Sequence, residues 1–163
     1  MTSWIFAAFT FFVYLIQTTV LGNLTVLGIM PDAVLVCVIC YGIVFGREKG
    51  FITAFVTALL MEFFSGKLFG SYIIGYLLSM TLASVLADNT FGKNFVTASV
   101  ITFVVSFAGG AVMSLYYFIA KIDTNIIYTM FVGAPIYAAY NMICGVFIFI
   151  FIENLRKVSY RRE

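Results

Sequence analysis

Residues 31–64 read PDAVLVCVICYGIVFGREKGFITAFVTALLMEFF, two long apolar runs on either side of the charged triplet REK at 47–49. Proline suits the first turn of a helix, where its missing N–H is not needed, and Asp32 next to it complements the positive end of the helix dipole. The stretch therefore predicts a helix over 31–46, a turn at the triplet and a second helix over 50–64. Both helices are shorter than the ~20 residues that a bilayer core needs. We expect a hairpin that tilts little, thins the bilayer or packs inside a bundle.

The whole chain continues this pattern of apolar runs separated by a few charges. Of its 163 residues, 63% are hydrophobic and only 10% are charged, whereas a soluble domain needs about a quarter of its residues charged. This excludes a soluble enzyme and a nucleic-acid-binding domain. We predict an all-α membrane protein with six transmembrane helices in one bundle, over residues 4–21, 31–46, 50–64, 71–87, 95–120 and 126–152.

Residues 1–152 would form the transmembrane domain and residues 153–163 a basic tail. The first run lacks a basic segment before it and a small-residue cleavage site after it, so we interpret it as a retained helix and not a signal peptide. The fifth helix is expected to tilt or kink near Gly109 and Gly110, and the sixth to kink at Pro135.

The basic residues predict the orientation of the bundle. Six spans place both termini on one side, and seven lysines and arginines fall on that side, namely Arg47, Lys49, Lys93, Arg156, Lys157, Arg161 and Arg162. Only Lys67 and Lys121 fall on the other side. The positive-inside rule therefore predicts that both termini are cytoplasmic.

Few side chains in the sequence are typical of catalysis or metal binding. The chain has no histidine, which removes the commonest general base and metal ligand. Cys37 and Cys40 form a C-x-x-C within an apolar run, and Cys144 lies in another. We interpret all three as buried, inert thiols in preference to a redox or zinc site. We expect no catalytic site, no metal and no cofactor, and hence a protein that is not an enzyme.

Two rows of small residues predict helix-contact faces. The fourth helix has one at every fourth position, and so has the fifth: Ser71, Gly75, Ser79, Ala83 and Ala87, then Ala98, Thr102, Ser106, Gly110 and Ser114. Such rows let helix backbones approach closely inside lipid. Whether the rows meet each other, another helix of this chain or a partner is left open by the sequence.

Three polar side chains lie within the apolar spans. Glu62 is either an interfacial carboxylate that reaches the headgroups or Lys67, or a buried contact residue, since a charge in mid-bilayer costs about 3 kcal/mol. Gln17 and Asn141 are neutral, and we interpret them as structural residues that form hydrogen bonds between helices.

The chain resembles the MreD family of rod-shape-determining membrane proteins. In that family a proline and an acid or amide open a helix, a basic turn and a glycine follow, and a segment L-D-x-x-S-G-x-x-x-G precedes the next span. Here that segment is MEFFSGKLFG at 61–70, with methionine and glutamate replacing leucine and aspartate. The matching residues are Pro31, Asp32, Arg47, Gly50, Glu62, Ser65, Gly66, Gly70 and, in the last helix, Asn141.

The resemblance implies a non-enzymatic part of the bacterial cell-elongation machinery in the plasma membrane. This machinery directs lateral peptidoglycan synthesis. Such a protein would bind the single-pass protein MreC and, directly or through it, the filament protein MreB, the glycosyltransferase RodA and a class B penicillin-binding protein.

The main alternative is the substrate-binding subunit of an energy-coupling-factor vitamin transporter, which also has about six helices. Its A-x-x-x-A motif is missing from the first helix, which offers only Ala7-Ala8. Its ligand pocket would lie near the outer face and use aromatic and a few polar side chains, for which 19 Phe and 10 Tyr are available. A deep cavity with Glu62 or Asn141 and several tyrosines would favour this carrier, and a filled bundle with a groove of small residues would favour the scaffold. An intramembrane enzyme or a channel has no motif in the sequence.

Overall fold

The structure is a computed structural model of the chain. It describes residues 3–19, 25, 27–65, 70–90, 94–121 and 125–160, with the side chains of 3–8, 65 and 158–160 left out. These residues form six helical segments and no strand. The all-α prediction is confirmed for this part of the chain.

The first five segments are single α-helices and the sixth is composite. They are α1 (Ser3–Thr19), α2 (Ala33–Phe45), α3 (Arg47–Ser65), α4 (Ser71–Asp88) and α5 (Phe95–Ile119). The sixth, α6, begins as one turn at Ile126–Tyr128, widens into a π-helical turn at Thr129–Gly133 and continues as Ala134–Tyr160.

Three of these helices are long and apolar enough to cross a bilayer: Ser71–Asp88, Phe95–Ile119 and Ile126–Lys157. The apolar stretches Phe9–Thr19 and Ala33–Phe45 are shorter, and α3 carries four charged residues among its 19. The count of six spans and the position of the termini stay predictions.

Helix α2 is the centre of the bundle. Every residue from Ala33 to Val44 is buried, and α2 contacts α1, α3, α4, α5 and α6. A helix that is apolar on all sides is typical of such a buried position. Because other helices enclose it, α2 buries nearly all of its apolar side chains although it is only 13 residues long. For α2, the structure therefore shows one of the three alternatives that we expected for the short hairpin, namely packing inside a bundle.

The turn between α2 and α3 is shorter than the sequence predicts. Gly46 alone breaks the helix, with φ of 99°, and its carbonyl oxygen already accepts the N–H of Gly50. The charged triplet at 47–49 therefore forms the first turn of α3, and the prediction that it is a turn is wrong. A positive φ is accessible to glycine without steric cost, so one residue suffices to reverse the chain.

Close approach of α2 and α3 depends on two glycines. A Cβ added to Gly50 would lie 2.8 Å from the Cα of Gly42 and 2.6 Å from the terminal carbon of Met80. Gly50 therefore has a packing role in addition to its position in the MreD-like pattern.

Helices α5 and α6 form the most extensive helix pair. Helix α5 is continuous through Gly109 and Gly110, and a Cβ at Gly110 would lie 3.2 Å from the Cβ of Ala134. The glycine thus permits close packing. In α6 the π-helical turn ends at Gly133, two residues before Pro135, whose ring would clash with the carbonyl four residues earlier in a regular helix.

The C-terminal end of α6 extends beyond the predicted boundary. The helix continues to Tyr160, so most of the predicted tail is helical, and the division into a transmembrane domain and a tail at residue 152 stays a prediction. Arg156 and Lys157 each form an ion pair with Glu153 on the same helix face. Such pairs support exposed helical turns by a few tenths of a kcal/mol each.

Candidate functional site: a polar node and a cavity at one end of the bundle

Asp32 is the N-cap of α2. Its Oδ1 accepts the backbone N–H of Leu35 at 2.9 Å, which satisfies one of the first N–H groups of the helix. The sequence predicted a helix start here. Pro31 is buried and precedes the cap instead of occupying the first turn.

Two tyrosine hydroxyls converge on the same carboxyl group. Tyr76 of α4 donates to Asp32, with Oη 2.9 Å from Oδ1 and 3.1 Å from Oδ2. Tyr137 of α6 lies with its Oη 3.5 Å from Oδ2. Asp32 at the start of α2 therefore links this helix to α4 and α6. Its two tyrosine partners lie 44 and 105 residues later in the sequence.

Asn141 and Gln17 bind the backbone around this cap. The Oδ1 of Asn141 accepts the N–H of Asp32 at 2.8 Å, and its Nδ2 donates to Ser106 Oγ at 3.0 Å. Gln17 of α1 accepts the N–H of Val34 at 3.1 Å. The N-terminus of α2 is thus fixed by its own cap and by side chains from α1 and α6. We call Asp32, Tyr76, Tyr137 and Asn141 the polar node.

A cavity of about 270 Å³ lies against the polar node. Three of the four node residues line it, and Asn141 lies behind Asp32. Polar side chains and tyrosines alternate with small and apolar residues around its wall. The lining residues are Gln17, Ile29, Met30, Pro31, Asp32, Leu35, Ser71, Tyr72, Gly75, Tyr76, Ser79, Gly109, Gly110, Met113, Ser114, Tyr117, Thr129, Gly133, Ala134 and Tyr137.

The cavity belongs to the end of the bundle opposite most of the basic residues. It is lined by the N-terminal halves of α4 and α6, the C-terminal half of α5 and the start of α2. Arg47, Lys49 and Arg156 lie at the other ends of these helices or of their neighbours. Under the predicted orientation the cavity faces the outer side of the membrane.

Glu62 caps a different helix. Its Oε1 accepts the N–H groups of Tyr72 and Ile73 at 2.6 and 3.2 Å, which are at the start of α4. The N-cap of α4, Gly70, has φ of 94° and no side chain to cap with, so Glu62 supplies the acceptor from α3. The side chain is 6% exposed. Of the two interpretations of Glu62, the structure shows the buried contact, and Lys67 lies outside the described residues.

Two buried oxygens near this junction have no hydrogen-bond partner among the described residues. They are Glu62 Oε2 and Ser71 Oγ. Ser71 is 2% exposed and lines the cavity, whereas Glu62 does not.

The two rows of small residues lie inside the protein. Ser71, Ser79 and Ala83 of α4 are buried, and Gly75 and Ala87 are half-buried. On α5, Gly110 faces Ala134 of α6. Thr102 of α5 faces Gly145 of α6, where an added Cβ would lie 3.3 Å from the Oγ1 of Thr102. The remaining members of the α5 row, Ala98, Ser106 and Ser114, are buried as well. The rows contact other helices of this chain.

The other predicted site residues are spread over the structure. Arg47 is exposed and lies over the ring of Phe51 at 5.6 Å. Ser65 ends α3. Gly66, Lys93, Arg161 and Arg162 lie outside the described residues.

The cysteines are free thiols. Cys37 and Cys40 are fully buried and Cys144 is half-buried. The Sγ of Cys40 lies 3.9 Å from the carbonyl oxygen of Gly145 on α6, a weak contact. In the described residues no cluster of three metal-ligating side chains is present.

Tyr76 and Tyr137 are the site residues that sequence reasoning missed. Tyr137 lies four residues before Asn141, on the same face of α6, and the polar pair was a signal in the sequence. No comparable signal marked Tyr76, because the tyrosines are numerous and serve lipid interfaces as readily as pockets.

Comparison with known proteins adds no assignment. No protein-family model, curated protein or solved structure matches this chain.

Proposed function

We propose that this protein is a non-enzymatic membrane component of the bacterial cell-elongation complex, with an MreD-like role as a partner of an MreC-like single-pass protein. The proposal starts from the resemblance over residues 31–70. The observation that carries it is that the motif residues make contacts between helices. Asp32, Glu62 and Asn141 form hydrogen bonds from one helix to another, and Gly50 allows α3 to approach α2 closely.

A scaffold needs such braced helices, because it acts by presenting a fixed surface. Asn141 is 0% exposed and Glu62 is 6% exposed, so neither is available to a partner. Their side chains satisfy backbone N–H groups that would otherwise be unpaired in a lipid environment, which costs several kcal/mol per group. The pattern thus favours a stable bundle on which a partner can dock.

Under this proposal, partners are MreC directly and MreB, RodA and a class B penicillin-binding protein directly or through MreC. The chain would lie in the bacterial plasma membrane with both termini in the cytoplasm. The lipid-facing sides of the helices remain for docking. On α4 they form a stripe of exposed apolar residues, Ile74, Leu78, Leu82 and Val85.

Co-purification tests the proposal. The tagged chain is expressed with the MreC-like protein of the same organism and isolated in mild detergent. We expect the two proteins in one complex, and no complex when the transmembrane segment of the MreC-like protein is scrambled at constant composition. Equal recovery with the scrambled segment, or no recovery at all, would contradict the proposal.

The structure guides the choice of variants in this chain. Gly110→Leu would force a side chain into Ala134, since even a Cβ lies 3.2 Å from it. A lost complex would then reflect disturbed packing of α5 on α6. Leu78→Ala and Leu82→Ala on the exposed stripe of α4 leave the interior unchanged and are the better probes.

The cavity favours a second candidate function, a substrate-binding subunit of a vitamin transporter. Such a subunit needs an aromatic and polar pocket near the outer face, and this cavity has four tyrosines and Asp32 in its wall. Glu62 and Asn141 are outside the lining, so the match with that expectation is partial. Retention of a radiolabelled vitamin at nanomolar concentration by the isolated chain in liposomes would favour the carrier over the scaffold.

A further inference from the structure

We propose that the cavity is a binding site for a small amphipathic ammonium compound, whose charged group contacts Asp32 and whose apolar body lies in the interior of the bundle. The inference needs only the cavity. It stands apart from whether the chain assembles with an MreC-like protein.

The charge of the lining selects the ligand class. The described lining residues include one carboxyl group, that of Asp32, and no lysine, arginine or histidine. A carboxylate or phosphate ligand would meet like charge here, with no described cation in the wall to offset it. A cationic ligand is favoured, because opposite charges attract strongly in a site of low dielectric constant.

The hydrogen-bonding groups of the cavity wall favour a ligand that donates hydrogen bonds over one that accepts them. Tyr76 donates its hydroxyl hydrogen to Asp32, so its oxygen keeps acceptor capacity, and the Tyr137 oxygen lies 3.5 Å from the same carboxyl group. Carboxylate and phenol oxygens together form an acceptor-rich wall. A protonated primary amine carries three donors and no acceptor, which matches this wall.

Ser71 adds an independent observation. Its hydroxyl has no hydrogen-bond partner among the described residues, although the residue is 2% exposed and lines the cavity. A buried hydroxyl without a partner costs free energy, and a ligand in the cavity would supply the missing hydrogen bond.

Size and polarity define the rest of the ligand. Leu35, Met113 and Ala134 provide apolar surface, and the tyrosine rings attract cations through their faces. An apolar cavity of about 150 Å³ binds benzene, so a cavity of about 270 Å³ has room for a single ring with a short side chain. The ligand is therefore a single ring or short chain that bears one ammonium group. A free amine and the ethanolamine headgroup of a phospholipid share this chemistry.

Three compounds of equal size test the ligand class. The full chain in dodecyl maltoside is dialysed against radiolabelled 2-phenylethylamine, 2-phenylethanol or phenylacetate, and binding to empty micelles is subtracted. We expect the amine to bind at least about ten-fold more tightly than the alcohol, because a hydrogen bond to a charged group is worth that much, and phenylacetate not to bind. Equal binding of amine and alcohol would overturn the proposal.

Two charge-matched variants locate the site. Asp32→Asn removes the carboxylate and keeps a side chain that caps α2, so we expect amine binding to fall to the level of the alcohol. Glu153→Gln removes a carboxylate on the C-terminal part of α6, outside the cavity lining, and should leave amine binding unchanged. Undiminished amine binding by Asp32→Asn would overturn the proposal.

A variant that fills the cavity covers the case in which Asp32→Asn does not fold. A Cβ at Gly75 would lie 3.5 Å from the sulfur of Met113, an ordinary contact, and a leucine there would extend into the cavity. We expect Gly75→Leu to keep its helical circular dichroism and to lose the amine. Retained binding in that folded variant would contradict the proposed location.

Added lipid distinguishes the two sources of the ammonium group. If a phospholipid headgroup is the natural occupant, phosphatidylethanolamine added to the micelles should compete with 2-phenylethylamine and phosphatidylglycerol should not. If neither lipid competes while the amine still binds selectively, the occupant is a soluble amine.

Discussion

The side chain of Asn141 accepts a hydrogen bond from the backbone N–H of Asp32 at 2.8 Å, across 109 residues of sequence. This bond joins the last helix to the start of the central one. Because Asn141 also donates to Ser106 on α5, one amide group fixes the relative positions of three helices. The residue is fully buried, its bond to Ser106 is buried and its bond to Asp32 is partly buried.

Replacing Asn141 by leucine should lower the stability of the bundle by about 1–3 kcal/mol, because the partly buried N–H of Asp32 loses its acceptor. Ser106→Ala removes only the second bond and should cost about 0.6 kcal/mol, the average for such bonds between membrane helices. Thermal unfolding in detergent, followed by labelling of the buried Cys37 and Cys40 with a thiol-reactive dye, measures both. Equal midpoints for the two variants would contradict the ranking.

Glu62 offers a second test of buried polar contacts. Glu62→Leu removes the acceptor of two N–H groups at the start of α4 and should cost about 2–4 kcal/mol, as two partly buried donors become unpaired. Glu62→Gln keeps one carbonyl oxygen as acceptor and should cost about 1 kcal/mol or less, the part that came from the charge at the helix N-terminus.

The same thiol-labelling assay compares the two Glu62 variants. A leucine variant as stable as the wild type would show that the contact to α4 contributes nothing. If the chain has the proposed role in cell elongation, cells with the glutamine variant as sole copy should keep normal width and cells with the leucine variant should not.

The approximate bounds of the helices were predictable from the sequence, and so were the hydrogen bonds of Gln17 and Asn141 between helices, whereas the convergence of two tyrosines on Asp32 was not. Pro31 and Asp32 start α2 because proline and a capping acid act locally, within one helical turn. The meeting of Asp32 with Tyr76 and Tyr137 depends on how α2, α4 and α6 pack, and no local spacing encodes it. Glu62 illustrates the same limit over a short distance. Its partners are backbone N–H groups ten and eleven residues later, which carry no side-chain signal.

The sequence predicts the spacing of the two rows of small residues, but not which helices they contact. Their four-residue period follows from the sequence alone. Which helix they face is decided by complementary small residues elsewhere, such as Ala134 and Gly145 on α6. These residues stand outside the two rows that the sequence predicts.

Gly50 and Gly75 form a matched pair for a test of close packing. A Cβ at Gly50 would lie 2.8 Å from the backbone of Gly42, and a backbone cannot move aside as a flexible side chain does. Gly50→Ala should therefore destabilise the bundle by about 1–3 kcal/mol, the usual cost of overpacking. Gly75→Ala meets only Met113 at 3.5 Å and should be tolerated. Unfolding of both variants by thiol labelling gives the comparison, and equal stability would show that α2 and α3 separate easily.

The orientation of the bundle decides which compartment the cavity faces, and two exposed lysines test it. Lys49 starts α3 and Lys121 follows α5, at opposite ends of the helices, and both are exposed. Under the positive-inside rule, Lys121→Cys should react with a membrane-impermeant maleimide in intact spheroplasts. Lys49→Cys should react only after the membrane is opened. Cys37 and Cys40 are fully buried and contribute little background, and the unsubstituted chain measures the labelling of Cys144. The reverse pattern would place the cavity on the cytoplasmic side, where its ligand would come from metabolism within the cell.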